Sequence, residues 1–361
     1  MVKKILKTIL AIVIALLLIV AIYFAYLMLS YHRIDDNTKT DIEEIGSPIS
    51  ELELGKQYRI SSANLGFGAY SDDYSFFMDG GTESWAFSKD AVKENLDGSI
   101  DSILTVNPDI MMFQEVDVDA TRSYHTNQKA MIIDALKAND KSDLSYTFAL
   151  NYDSGFLMYP LYKPHGKTKA GLLTMSPAVM QDSTRRSLPI ETGLSKFIDL
   201  DRCYDKIVIN TNSDKKLIIY NAHLSAYTTN PATADNQVKM LSKDMADEYA
   251  KGNYVIAGGD MNKDVLHDSS AYFGKTCDEN WASPFPEDYL DSNLTLVKPL
   301  DESNPIPSCR NANEPYGENT FVVTIDGFIV SNNVEVKYAN VLDTGFKHSD
   351  HNPIYMDFIL K

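Results

Sequence analysis

The apolar pattern of this 361-residue chain changes character once, near residue 30. Residues 8–29, TILAIVIALLLIVAIYFAYLML, carry no charge and are long enough to cross a bilayer as a helix. Beyond them the apolar positions break into short runs. From about residue 57, YRISSANL reads as a strand, 89–105 as an amphipathic helix, and DIMMFQEV (109–116) as a strand buried on both faces, because its apolar residues are contiguous. A second helix is expected over 126–138, and a strand at GLLTM (171–175). A hairpin should follow at KIVINTNSDKKLIIYNAHL, turning at Asn212, Ser213 and Asp214. Val238, Leu241, Met245 and Tyr249 mark one face of a helix over 231–251, which Gly252 stops. YVIAGG (254–259), FVVTIDGFIV (321–330), VEVKYANV (334–341) and 354–360 read as further strands, and 263–319 as a long irregular region. Hairpins mixed with alternating strands and helices predict an α/β class with two facing mixed sheets under outer helices.

The flanks of the apolar run set an orientation. Lys3, Lys4 and Lys7 precede it, while Asp35, Asp36, Asp41, Glu43 and Glu44 follow. The positive-inside rule then places the N-terminus in the cytoplasm and the rest outside, as a single-pass cell-membrane protein with an extracellular domain. A cleaved signal peptide is the alternative, but the run exceeds a usual signal core and no A-x-A site follows. Residues 31–55, polar, acidic and interrupted by Gly-Ser-Pro, read as a tether, and 56–361 as one domain.

Composition allows a large core, at 44% hydrophobic and 11% aromatic, and excludes a disordered chain. A formal net charge of -17 disfavours a tight nucleic-acid binder, since any polyanion needs a locally basic or metal-filled cleft. Cys203, Cys277 and Cys309 lack zinc-site spacing. They read as unpaired thiols, with a Cys277–Cys309 pair as the alternative in an oxidising exterior.

Polar residues recur where apolar runs end. Asn64 closes the first strand, Glu115 the second and His223 the hairpin; Asp260 and Asn262 follow YVIAGG, Asp326 interrupts FVVTIDGFIV, and Asp350 with His351 precede the last strand. Singly, each has a turn or core explanation. Together, carboxylates beside buried runs require partners or a metal, and strand ends that meet at one sheet edge form sites. Oxygen ligands from Glu115 and Asp350, helped by the Asn64 amide, suit Mg or Mn. A histidine held by a carboxylate stabilises charge on phosphorus or passes a proton. Phosphoester hydrolysis follows.

The ordered set Asn64-Leu-Gly, Gln114-Glu115, His223-Leu, Gly259-Asp260-Met-Asn262, Ile325-Asp326-Gly and Ser349-Asp350-His351-Asn-Pro resembles the endonuclease/exonuclease/phosphatase superfamily. That family includes deoxyribonuclease-like, apurinic endonuclease-like and neutral sphingomyelinase-like enzymes. The resemblance implies a four-layered α/β sandwich with the site at one end of two facing sheets. By motif, it implies Glu115 as principal metal ligand with Asn64 and Asp350 nearby, and Asp260 and Asn262 orienting water and a phosphate oxygen. His351 paired with Asp326 would sit at the phosphoryl group, with His223 opposite. Arg202 matches a phosphate-contacting position; Arg310, Arg185 or Arg186, and Tyr152 are further candidates. The chain departs from relatives that read DNA: where those are basic, residues 268–319 carry Asp278, Glu279, Glu287, Asp288, Asp291, Asp301 and Glu302. Tyr272, Phe273, Trp281, Phe285 and Tyr289 form either a satellite core or a membrane-facing lip.

The expected activity is a Mg-dependent phosphoesterase, acting on a diester or monoester outside the membrane. A DNA or RNA endonuclease, a sphingomyelinase-like lipid phosphodiesterase and a catalytically silent surface binding module are the alternatives. Lipid headgroup and nucleic acid both stay open as substrate, and no protein partner is inferred.

Overall fold

The computed structural model describes residues 1–191, 201–226, 231–276 and 281–361. It begins with α1 (Val2–Ser30), a helix of 29 residues none of which is buried. At 1.5 Å per residue it is about 43 Å long, ample for a hydrocarbon core of about 30 Å. Then come β1 (Thr38–Lys39), β2 (Ile42–Ile45), β3 (Gln57–Asn64), α2 (Lys89–Leu104), β4 (Ile110–Ala120), α3 (Gln128–Ala138), β5 (Leu144–Asp153), β6 (Thr168–Ser176), β7 (Met180–Ser187), β8 (Cys203–Asn210) and β9 (Lys216–His223). The chain continues through α4 (Pro231–Tyr249), β10 (Tyr254–Asp260), α5 (Ser269–Phe273), β11 (Leu294–Val297), β12 (Cys309–Arg310), β13 (Val322–Val323), β14 (Asp326–Ser331), β15 (Val334–Val341) and β16 (Ile354–Leu360).

Two seven-stranded mixed sheets face each other, in the orders β1-β7-β8-β9-β10-β14-β11 and β15-β16-β3-β4-β6-β5-β2. Strand periodicity makes the sandwich. On β4, Met112 points between the sheets among Ile60, Ile219, Ile256 and Phe328, whereas Met111 and Phe113 point outward to Leu96, Ile100 and Ile132 of α2 and α3. Each fully buried side chain of this kind contributes about 1.5–3 kcal/mol relative to exposure. On the other face Val238, Leu241 and Met245 of α4 cover Ile218, Val255 and Ile329. These are the four expected layers.

Three expectations change. Residues 31–55 do not hang as a free tether: β1 pairs with β7 and β2 with β5, so the segment closes one edge of both sheets. Unpaired backbone on an edge strand is satisfied when a neighbouring segment pairs with it. FVVTIDGFIV is not one strand. It divides at Thr324–Ile325 into β13, paired with β12, and β14, so Asp326 heads a strand instead of interrupting one. The stretch 263–319 carries α5, β11 and β12. Within it Phe285 is buried beside Leu266 and Leu294, and Phe273 packs against the same cluster, as the core reading has it for these two, whereas Tyr272 and Tyr289 are exposed.

Candidate active site

The parallel pairing of β9 with β10 and the antiparallel pairing of β10 with β14 bring His223, Asp260 and Asp326 into one row across three strands. In the other sheet, β3 ends with Asn64 opposite Gln114 of the parallel strand β4. Beneath this rim Gln114 Nε2 donates to Asn221 Oδ1 at 2.7 Å and Asn221 Nδ2 to Thr174 Oγ1 at 3.0 Å, a buried polar tie between the two sheets. Glu115 sits where the β4–β6 register shifts, at φ +55°. Such a left-handed backbone costs a non-glycine residue roughly 1–2 kcal/mol. The bulge re-aims its carboxylate to the rim.

Asp260 is the hub. Its Oδ2 lies 3.0 Å from Asn64 Nδ2, 3.3 Å from His223 Nε2 and 3.8 Å from His351 Nε2, and its Oδ1 accepts from the Asn262 amide at 2.9 Å. Burial raises its proton affinity and Asp326 adds to the effect, against His351 and Asn64. The two glycines before it serve β-pairing at close quarters: a Cβ on Gly259 would stand 1.9 Å from the Ala222 carbonyl oxygen, and its φ is +143°.

His351 Nδ1 is 2.8 Å from Asp326 Oδ2. Ser308 locks that pair by donating its hydroxyl to the same oxygen at 2.7 Å. Residues 308–310 run beside 350–352 through the Arg310 amide to Asp350 carbonyl and Asn352 amide to Ser308 carbonyl bonds, while the Ser349 hydroxyl holds the Asn64 carbonyl at 2.9 Å. Burial disfavours the imidazolium, but Cys309, Asp326 and Asp260 outweigh it and raise the histidine well above its ordinary value. His223 behaves oppositely. Burial, then Arg202, hold it well below its ordinary value, and its Nε2 accepts from Arg202 Nη1 at 2.6 Å. Among the described residues, His223 Nδ1, Arg202 Nε and Asp326 Oδ1 have no hydrogen-bond partner. Buried polar atoms left open around one hub indicate a place built for a polar ligand.

The remaining candidates divide. Burial raises Asp350, with a contribution from nearby Glu115. Asn64 uses its amide nitrogen on Asp260, and on Glu115 Oε1 at 3.5 Å, while its oxygen accepts from the Gly66 amide. In this arrangement its amide nitrogen orients the two carboxylates and its oxygen holds the Gly66 amide. Asn262 is buried with its amide on the Leu224 carbonyl. Arg310 is committed largely to backbone: its two Nη groups donate to the Asn311, Glu314, Ser71 and Tyr74 carbonyls, while its buried Nε has no partner among the described residues. Arg185 binds the Leu150 and Asp35 carbonyls, and Arg186 binds Asp36 and Asp244, on the β7 edge. Tyr152 is buried, and both Arg122 and Arg202 act on its phenol. Cys203 and Cys309 are free and buried, and Cys277, like Asp278 and Glu279, lies outside the described residues.

Arg122 is the site residue that sequence reading missed. Its guanidinium forks onto Asp117 at 2.9 and 3.1 Å, stands 3.9 Å from Glu115 Oε2 and covers the Phe67 ring at 3.9 Å. Burial opposes its charge, but Asp117 and Glu115 hold it. The signal was the acid at the alternate position of Gln114-Glu115-Val-Asp117, which turns inward with the apolar face and needs a cation.

A family model for the endonuclease/exonuclease/phosphatase family matches residues 62–351. The chain belongs to this family. No curated protein matches it in sequence. Among solved structures, an endonuclease/exonuclease/phosphatase from Beutenbergia cavernae DSM 12333 is similar at a TM-score of 0.57 and 14% identity, over 84% of this chain and 72% of the other. ANGEL2, described as a 2',3'-cyclic phosphatase, is similar at 0.54 and 13%, over 90% and 99%. A family protein from Leptotrichia buccalis C-1013-b is similar at 0.53 and 13%, over 83% and 99%. At these identities the likeness establishes the fold.

Proposed function

We propose that this family member is a divalent-metal-dependent phosphoesterase held on the outer face of a membrane by α1. The observation that carries the reading is the convergence on Asp260 Oδ2 of His223, Asn64 and the Asp326-held His351. Among the described residues, no three His, Cys, Asp or Glu side chains form a ready-made metal cage. The donor chemistry nevertheless suits Mg, which takes one or two carboxylates and keeps its waters. Glu115 and Asp350 would hold it: burial and the nearby Glu115 raise the proton affinity of Asp350, and a cation between the two carboxylates would relieve both effects. When bound, the metal neutralises charge on a phosphate oxygen.

This chain's own residues account for the proton movements. Asp260, with raised proton affinity and anchored by Asn64 and the Asn262 amide, takes the proton of the attacking water. As the water oxygen bonds to phosphorus and the ester P–O bond breaks, His351, protonated and fixed by Asp326, gives its Nε2 proton to the departing oxygen. His223, neutral, and Arg202 stand on the opposite side as phosphate contacts. The net charge of -17 disfavours duplex nucleic acid as the usual substrate.

The test is hydrolysis of bis(p-nitrophenyl) phosphate by the full chain in detergent with Mg. Activity should vanish with chelator and in Glu115→Gln, and fall about 10²–10⁴-fold in His351→Ala. Undiminished turnover by a folded His351→Ala protein would overturn the mechanism, and a folded wild-type chain inert on every phosphoester would favour the binding-module reading.

A further inference from the structure

After α1, five of the twelve exposed large hydrophobic side chains among the described residues fall within the stretch 156–162: Phe156, Met158, Tyr159, Leu161 and Tyr162, with Leu161 81% exposed. The others are scattered, as single exposed apolar residues ordinarily are. This loop joins β5 to β6 and touches the foot of α1. The Phe156 amide donates to Tyr26 Oη at 2.8 Å and the Met158 amide to Tyr23 Oη at 2.9 Å. Gly155 lies so close that a Cβ there would stand 2.7 Å from Ser30 Oγ.

Charge sets the same stretch apart. In a chain of net charge -17, residues 154–181 contain no Asp or Glu, and Lys163, Lys167 and Lys169 follow the apolar tip. Apolar and aromatic side chains backed by lysines match a bilayer interface with anionic headgroups. Behind the loop the path leads to the site. Tyr159 packs on Phe77 and Phe77 on His165, with centroids 5.6 and 5.8 Å apart, and Arg122 acts on His165. A cavity of about 40 Å³ under the end of α1 is lined by Leu27, Ser30, Leu157, Asp201 and Tyr152, the phenol on which Arg122 and Arg202 act.

We infer that residues 155–163 form a second membrane contact, seated in the lipid headgroup layer beside α1, so that the catalytic rim opens at the bilayer surface. The occupant is the bilayer because the loop is continuous with a helix built to lie in one. The inference rests on the reading of α1 as an anchor and is independent of the chemistry at Asp260.

The experiment places one nitroxide label on the full chain in vesicles of phosphatidylcholine and phosphatidylglycerol, with Cys277→Ser as background. Labels at Leu161→Cys, Ile14→Cys and Tyr338→Cys are compared for collision with oxygen, which partitions into lipid, and with a nickel chelate, which stays in water. The Leu161 label should collide severalfold less with nickel and more with oxygen than the Tyr338 label. A Leu161 label as open to nickel as Tyr338 overturns the inference. If Ile14 is then shielded, the anchor stands without the loop contact; if Ile14 is exposed, the anchor reading falls with it. Bis(p-nitrophenyl) phosphate hydrolysis by the same samples reports separately on the catalytic reading.

Discussion

His165 shows how the buried surroundings of the site enter its stability. It is held neutral, its pKa lowered to about 3 by burial and by Arg122, with Nδ1 3.0 Å from the Ser84 carbonyl. The unfolded chain takes a proton at this residue near 6.5, while the folded chain takes it only near 3. The unfolded state therefore binds more protons between these values. The contribution is complete above about pH 6.5 and is lost as pH falls, by about 1 kcal/mol per pH unit. Denaturant midpoints of wild type and His165→Gln should converge as pH drops from about 6.5 to 5; parallel curves would show that His165 titrates normally. At this scale the motif residues were legible, because a carboxylate or imidazole beside a buried run stands out. Arg122 was not: a cation in the short turn that follows β4 has no periodic signature, and its role comes from the buried Asp117 five residues before it.

At the scale of elements, strand pairing sets the site. His223, Asp260 and Asp326 belong to three strands, and only the registers of β9, β10 and β14 align them. Gly259 is where that register is most exposed to change. Gly259→Ala should push β10 from β9, costing roughly 1–3 kcal/mol and lowering hydrolysis as Asp260 leaves His223. Gly317→Ala, where a Cβ would meet nothing within 4 Å, is the control expected to behave as wild type. Equal unfolding midpoints for the two variants would refute the argument. Helices α2 and α4 were readable from apolar spacing, and β3, β8, β9 and β16 from β-rich runs. Strands β5 and β7 escaped because polar residues such as Asn151, Arg185 and Arg186 break their alternation, and β1 and β2 because they are too short to show any.

For the whole molecule, the question is how α1 and the two-sheet body work as one. Arg33, just past α1, pairs with Asp201 at 2.8 Å, and the next residue is Arg202 of the site. Protease added outside sealed cells or right-side-out vesicles should digest the domain and leave the Lys-rich tip protected, as read by tags at the two ends. Protection of the C-terminal tag would reverse the orientation taken from Lys3, Lys4 and Lys7. The sequence by itself determined the apolar helix, the α/β class and the residues capable of phosphoester chemistry, because hydrophobic periodicity and misplaced charge are local properties. Tertiary structure alone decided that 31–55 closes both sheets, that Arg310 serves backbone carbonyls while Arg122 serves the site, and that the exposed loop after β5 stands beside the anchor. Each of these depends on which distant strands pair, and pairing is a choice among whole-chain arrangements that no local pattern encodes.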